Sequence, residues 1–190
     1  NSLYIGTSGT NLNTRHPIIT ASMGSTLNRL SEGRFALGLA KGVKLRWQAL
    51  NVDFPSFEHE RNFVELMRAL WQGQQVLGHD SPLGQYAALQ LAPYVNEDIP
   101  LLYVGFGQKS LEHAGRIYDG AHLHTFMSDQ ALSDAVAAFR RGEAAVGRSS
   151  GKLWSVFATV HQPSDTDYLK MIVARLATYL QIPGYGEALV

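Results

Sequence analysis

The chain has 190 residues, 45% of them hydrophobic and 17% charged, with Lys plus Arg equal to Asp plus Glu at 16 each. That composition supports a real buried core and excludes a disordered tail, and no basic cluster interleaved with aromatics marks a nucleic-acid binder. Without cysteine there are no disulfides, thiolate metal sites or cysteine nucleophiles, and no apolar run approaches the ~20 residues of a membrane span. The first residues also lack a signal-peptide pattern, so a cytoplasmic protein with a small ligand is expected.

Leu3 to Thr7 is a short apolar run entering a Gly/Ser turn, the pattern of a strand buried on both faces. A helix follows from Pro17, with Ile19, Met23, Leu27 and Leu30 as its core stripe and Gly33 as its stop. Arg34 to Ala40 is a second strand, ending at Lys41-Gly42. Residues 43 to 56 have no clean period and read as a long loop of the kind that often carries function. Phe57 to Trp71 returns to helical spacing, and residues 78 to 98 form an irregular excursion. The alternation then resumes: strand Leu101 to Val104, helix about Lys109 to Arg116, strand Gly120 to Thr125, helix about Asp129 to Val146, strand Leu153 to Val160, and a helix with the stripe Leu169, Ile172, Val173, Leu176 and Leu180. Strands alternating with helices imply parallel pairing and right-handed crossovers, hence an α/β domain without internal repeat or linker, the Pro163-Ser164 turn being too short to be one. The alternation alone does not separate a doubly wound sheet from part of a barrel.

Ligands of such folds sit at the carboxyl ends of the strands. Four of those ends carry glycine or other small residues: Gly6-Thr7-Ser8-Gly9, Ala40-Lys41-Gly42, Gly105-Phe106-Gly107-Gln108 and Thr125 to Ser128. Small residues allow a flat ring or a phosphate to approach the backbone, and a helix starting after Gly107 aims free N–H groups at an anion. A third glycine three residues on would complete the dinucleotide fingerprint, but Ser110 stands there. His122 and His124, two apart on a strand, share a face; no third ligand stands at a recognisable spacing, and a polar pair in a site wall is the better reading than a metal site. His16 either touches a ligand or closes its turn. Arg15, Arg34 and Arg116 are expected to pair with surface carboxylates, Phe57, Phe63 and Trp71 to face the core, and Trp47 and Phe54 to form a lid. No serine elbow occurs in the context of a hydrolase.

Five blocks in order, Ile5-Gly-Thr-Ser-Gly9, Arg15-His-Pro17, Leu30-Ser-Glu-Gly-Arg-Phe35 with Leu37-Gly-Leu39, Ile99-Pro-Leu-Leu-Tyr-Val-Gly105 and Ala114-Gly-Arg-Ile-Tyr-Asp-Gly120, resemble the luciferase-like monooxygenase superfamily. Within it, the chain is most similar to the oxidoreductases that use the deazaflavin coenzyme F420. The resemblance implies a TIM (β/α)8 barrel, with a bulged strand end and a non-prolyl cis peptide behind the cofactor ring; Ser8-Gly9 matches that place. It also implies that Thr7, Ser8, Gly9, Lys41, Gly42, Gly105, Phe106, Gly107 and Gln108 bind the cofactor, the last four as the phosphate loop. Relatives that oxidise a sugar phosphate carry an acidic glutamate where Val43 stands, which leaves the catalytic residue here unassigned.

A complete barrel has eight strands in ~250 residues, whereas this chain starts at what resembles the family's third strand and stops before the last. Residues 1–190 are therefore expected to be a single but partial barrel domain, with insertion-like loops at about 43–56 and 78–98. The resemblance implies hydride transfer between F420 and a small organic substrate in a homodimer to which the helix from Pro17 to Leu30 contributes. Two alternatives are a monooxygenase using reduced FMN and a cofactor-free fragment acting as a scaffold. Lys41, Lys44 and Arg46 are candidates for a basic groove along the glutamyl tail of F420.

Overall fold

The computed structural model describes residues 3–92, 95–155 and 166–186. Its elements in chain order are β1 (Ile5–Gly6), β2 (Thr10–Asn11), α1 (Pro17–Leu30), β3 (Phe35–Ala40), α2 (Lys44–Ala49), α3 (Phe57–Trp71), β4 (Val76–Ser81) and β5 (Gly84–Leu89). These are followed by β6 (Leu101–Val104), α4 (Gln108–Ile117), β7 (Gly120–Leu123), α5 (Asp129–Ala144), β8 (Lys152–Ser155) and α6 (Thr166–Leu180). The main sheet runs β1-β3-β6-β7-β8, all parallel, with β2 also on β3. Alternate residues of a strand face opposite sides. Leu37, Leu39, Leu101, Tyr103, Ala121 and Leu123 accordingly join the core beneath the helices, against Phe63, Met67, Leu70, Leu111 and Phe139. Ala36, Leu102, His122 and Trp154 line the opposite, concave face, which bounds a cavity of about 830 Å³. The fold is a curled half-barrel.

Several expectations change. β1 is not buried on both faces: Leu3, Tyr4 and Ile5 are exposed, because β1 is an edge of the open sheet. The boundaries of α1 are as expected, but of its apolar stripe only Leu27 packs against the core. Ile19, Met23 and Leu30 are exposed, while Pro17, Thr20, Ala21, Gly24 and Ser25 are buried. Small residues win that face because α3 presents Trp71 to it: the indole Nε1–H donates to Ala21 O at 2.9 Å, and a Cβ on Gly24 would come within 2.7 Å of the ring. The loop at 43–56 contains α2, and Trp47 is buried rather than a lid, its Nε1–H donating to Lys41 O at 2.6 Å. Residues 78–98 are not merely irregular, since β4 and β5 pair there as an antiparallel hairpin. Of the expected strand Leu153 to Val160, residues 156–160 lie outside the described residues, as does the Pro163-Ser164 turn.

Candidate functional site

The segment between β1 and β2 departs from regular pairing. Gly6 faces Ala36 and Thr10 faces Leu39, so four steps along one strand match three along the other, which is a one-residue bulge at Thr7-Ser8-Gly9. Thr7 replaces the lost ladder bonds with its side chain: Oγ1 accepts from Gly38 N at 3.0 Å and from Thr10 Oγ1 at 3.0 Å, and donates to Gly38 O at 3.1 Å. Gly38 permits this approach, since a Cβ there would lie 2.0 Å from Thr7 O. The expected cis bond at Ser8-Gly9 is absent; the described residues contain only trans peptides, and Gly9 absorbs the bulge with φ +113°. Glycine reaches that backbone region at little steric cost.

The bulge turns Ser8 into the mouth of the concavity, where its Oγ lies 2.8 Å from His122 Nδ1. β3 and β6 separate those two residues in sheet order, so the contact exists because the sheet curls. His122 and His124 share a face but diverge in surroundings. The ring of His124 lies 5.1 Å from that of Phe106, 5.2 Å from Tyr179 and 5.6 Å from Phe126. With Tyr185, 4.6 Å from Phe106, these rings close over the tips of β6 and β7. Burial holds both histidines below the ordinary imidazole pKa.

Gly107 is the N-cap of α4, with no side chain capping the first turn. Leu111 N donates to Gly107 O at 2.8 Å, so the N–H groups of Gln108, Lys109 and Ser110 precede the first intrahelical bond. A Cβ at Gly107 would meet only Ser110 Oγ, at 4.0 Å, which leaves the approach to those donors open. Gly105 is crowded instead by the ring of Tyr103. Sequence reasoning thus places the bulge and the loop after β6 at the same end of the sheet.

Lys41 and Gly42 also stand at a strand tip, but the ammonium of Lys41 turns to the helix layer. Its Nζ lies 4.0 Å from the Phe57 ring centroid and 5.2 Å from that of Phe54. Burial lowers its pKa, opposed by the charge of Glu60. Phe57 in turn stacks on His113 at 4.4 Å. Glu60 is fully buried; its Oε1 accepts from Tyr118 OH at 2.9 Å, and its Oε2 lies 3.8 Å from His113 Nε2 without a hydrogen bond. Burial pushes its carboxyl up to about 7 against the pull of Lys41 and Tyr118, and burial pushes His113 down to about 4. Sequence reasoning missed this cluster. Its signal is a carboxylate on the core stripe that continues through Phe63, Val64 and Met67.

Other candidates prove structural. His16 closes its turn, its Nδ1 accepting from Ile18 N at 3.3 Å as the N-cap of α1. Arg34 and Arg116 pair with Glu32 and Glu112 at 3.2 and 2.9 Å. Arg15 instead borders a small polar hollow beside the bulge, together with Ser8 and Thr14. Phe63 and Trp71 are core, whereas Phe57 is partly exposed.

Residues 1–180 match the luciferase-like monooxygenase family. The chain belongs to that family. It is 31% identical over 159 residues to the F420-dependent hydroxymycolic acid dehydrogenase of Mycobacterium tuberculosis, covering 76% of this chain and 41% of that protein. Its fold is that of the coenzyme F420-dependent tetrahydromethanopterin reductase of Methanopyrus kandleri, with a TM-score of 0.68 and 24% identity over 83% of this chain and 50% of that one. The oxygenating constituent of 3,6-diketocamphane monooxygenase from Pseudomonas putida, in complex with FMN, shares the fold at a TM-score of 0.63 and 16% identity, covering 78% of this chain and 45% of that one. The chain spans less than half the length of the curated relatives it matches. Among the described residues no helix is long and apolar enough to cross a membrane.

Proposed function

We infer that the chain forms the cofactor-binding part of an oxidoreductase that transfers a hydride between coenzyme F420 and a small organic substrate. The observation that carries this reading is the joint placement of the Thr7-Ser8-Gly9 bulge and the uncapped first turn of α4 at the carboxyl ends of the same curled sheet. In this reading Thr7, Ser8 and Gly9 back the planar ring, and Phe106, Gly107 and Gln108 hold the phosphate through backbone N–H groups, while Gly105, whose N–H donates to His122 O at 3.2 Å, shapes the loop. The open approach at Gly107 fits such a group. Bound there, a deazaflavin supplies a ring carbon that accepts or gives a hydride. Lys41 and Gly42 shape the tip of β3, and the exposed Lys44 and Arg46 on α2 supply cations for the glutamyl tail. The concave face accommodates the substrate. The exposed Ile19, Met23 and Leu30 of α1 belong to a homodimer interface, and the enzyme works in the cytoplasm.

Reduced FMN is the second reading, favoured by the FMN complex of a protein with the same fold. A side-by-side fluorescence titration with F420 and FMN tests the order. Quenching by F420 at micromolar concentration with a weaker FMN response supports the first reading, the reverse supports the second, and silence toward both leaves a scaffold.

A further inference from the structure

Hydride transfer from a carbinol leaves a proton on the substrate oxygen, and a group within hydrogen-bond reach must take it. Among the described residues, seven other titratable residues border the concavity: Asp98, Asp119, Tyr118, Glu143, Arg148 and Lys152, with Tyr4 leading into β1. Six of them precede or begin a strand, and Glu143, in the last turn of α5, accepts from Gly151 N just before β8, so they stand toward the amino ends of the sheet. Lys41 and Glu60 are turned to the helix layer, and His124 is enclosed by aromatic rings. Among the described residues, His122 is the titratable side chain lining the concavity that stands near the carboxyl ends, against the bulge.

Resting on the F420 reading above, we propose that His122 takes the hydroxyl proton of the substrate and that Ser8 is the positioning residue that holds its ring. The 2.8 Å contact between Ser8 Oγ and His122 Nδ1 ties down one ring nitrogen. Among the described residues the contact to Ser8 is the hydrogen bond of the ring, and it leaves Nε2 available. Either direction of donation satisfies the distance, but only Nδ1–H donating to Oγ leaves a lone pair on Nε2. Burial lowers the ring's pKa and so favours the neutral form that a proton acceptor requires. In the step, the carbinol C–H bond breaks and its electron pair leaves as hydride to the oxidised deazaflavin. The O–H proton passes to Nε2, the C=O bond forms, and the imidazolium, with Nδ1–H still on Ser8, later releases the proton to water. Both the ring carbon that receives the hydride and the base are thereby accounted for, with no further oxidant.

The test uses the full chain and no substrate. Nitrogen-15 NMR of the histidine rings is expected to show His122 as the Nδ1–H tautomer at pH 7, reverting to the commoner Nε2–H form in Ser8→Ala. Carbethoxylation of His122 by diethyl pyrocarbonate, followed by peptide mass mapping, is expected to slow about tenfold with oxidised F420 at ten times its Kd. His122→Gln is expected to keep the wild-type circular dichroism and F420 affinity within about threefold. An Nε2–H tautomer in the wild type, or undiminished carbethoxylation with F420 demonstrably bound, overturns the assignment of His122 and leaves the cofactor reading standing. Absence of F420 binding by the wild type overturns the cofactor reading, and the assignment falls with it.

Discussion

Replacing Glu60 by Gln should make the protein more stable at alkaline pH, although it removes a fully buried acidic group. The folded protein holds the Glu60 proton up to about pH 7, whereas the ordinary carboxyl gives it up at 4.5. Between those values the unfolded chain binds fewer protons, so stability falls as pH rises through the window. The shift integrates to about 3 kcal/mol, at about 1.4 kcal/mol per unit. His113 works in the opposite direction. Its folded pKa of about 4 lies below the ordinary 6.5, so its contribution is lost as pH falls through that lower window, and solvent around the partly exposed ring reduces it. His113 is common to wild type and variant, so the difference between them reads Glu60. Glu60→Gln keeps an acceptor for Tyr118 OH and carries no charge. Urea unfolding followed by circular dichroism at constant salt is expected to show equal stabilities at pH 5 and an advantage of about 2 kcal/mol for the variant at pH 8. A variant less stable than wild type at pH 8, or two curves running in parallel between pH 5 and 7, would refute the argument.

Gly24→Ala should destabilise by about 1–3 kcal/mol despite the better helix propensity of alanine, because the new Cβ meets an indole pinned by its bond to Ala21; thermal unfolding measures it. Ile19→Asp combined with Met23→Asp, both on exposed positions of α1, is expected to convert a dimer into a folded monomer by light scattering, and a monomeric wild type would contradict that interface. Gly107→Ala is expected to leave stability within about 0.5 kcal/mol, since φ is −67° and the space is open, while weakening F420 binding by roughly tenfold. Equal affinity in that variant would place the phosphate elsewhere.

Periodicity located α1, α3 and β6 to the residue because each is long or strongly apolar and is bounded by Pro, Gly or a polar cap. It failed where the outcome depended on a partner. The stripe Ile19, Met23, Leu30 was legible as a stripe, but which face of α1 is buried depends on the size of Trp71 on α3, and only small residues fit beneath it. α2 is six residues long and is held by one indole hydrogen bond to Lys41 O, too little to write a period into the sequence. The β4–β5 hairpin packs on the core through Val76, Tyr86 and Leu89, but most of its other positions are small or polar, so the sequence lacks the regular alternation that marks a half-buried strand. At the candidate site, the small residues announced a close backbone approach, but the geometry differs from the expected cis peptide because a positive φ at Gly9 absorbs the extra residue. The pairing of Ser8 with His122 was not legible, since it depends on how far the sheet curls across β3 and β6.

The most direct measurement is a crystal structure of the chain grown with oxidised F420. The account predicts the deazaflavin ring against Ser8 and Gly9 within van der Waals distance, with its phosphate about 3 Å from the backbone nitrogens of Gln108 and Lys109. A ring lying at the amino ends of the strands, beside Asp98 and Lys152, or a phosphate remote from α4 would contradict it.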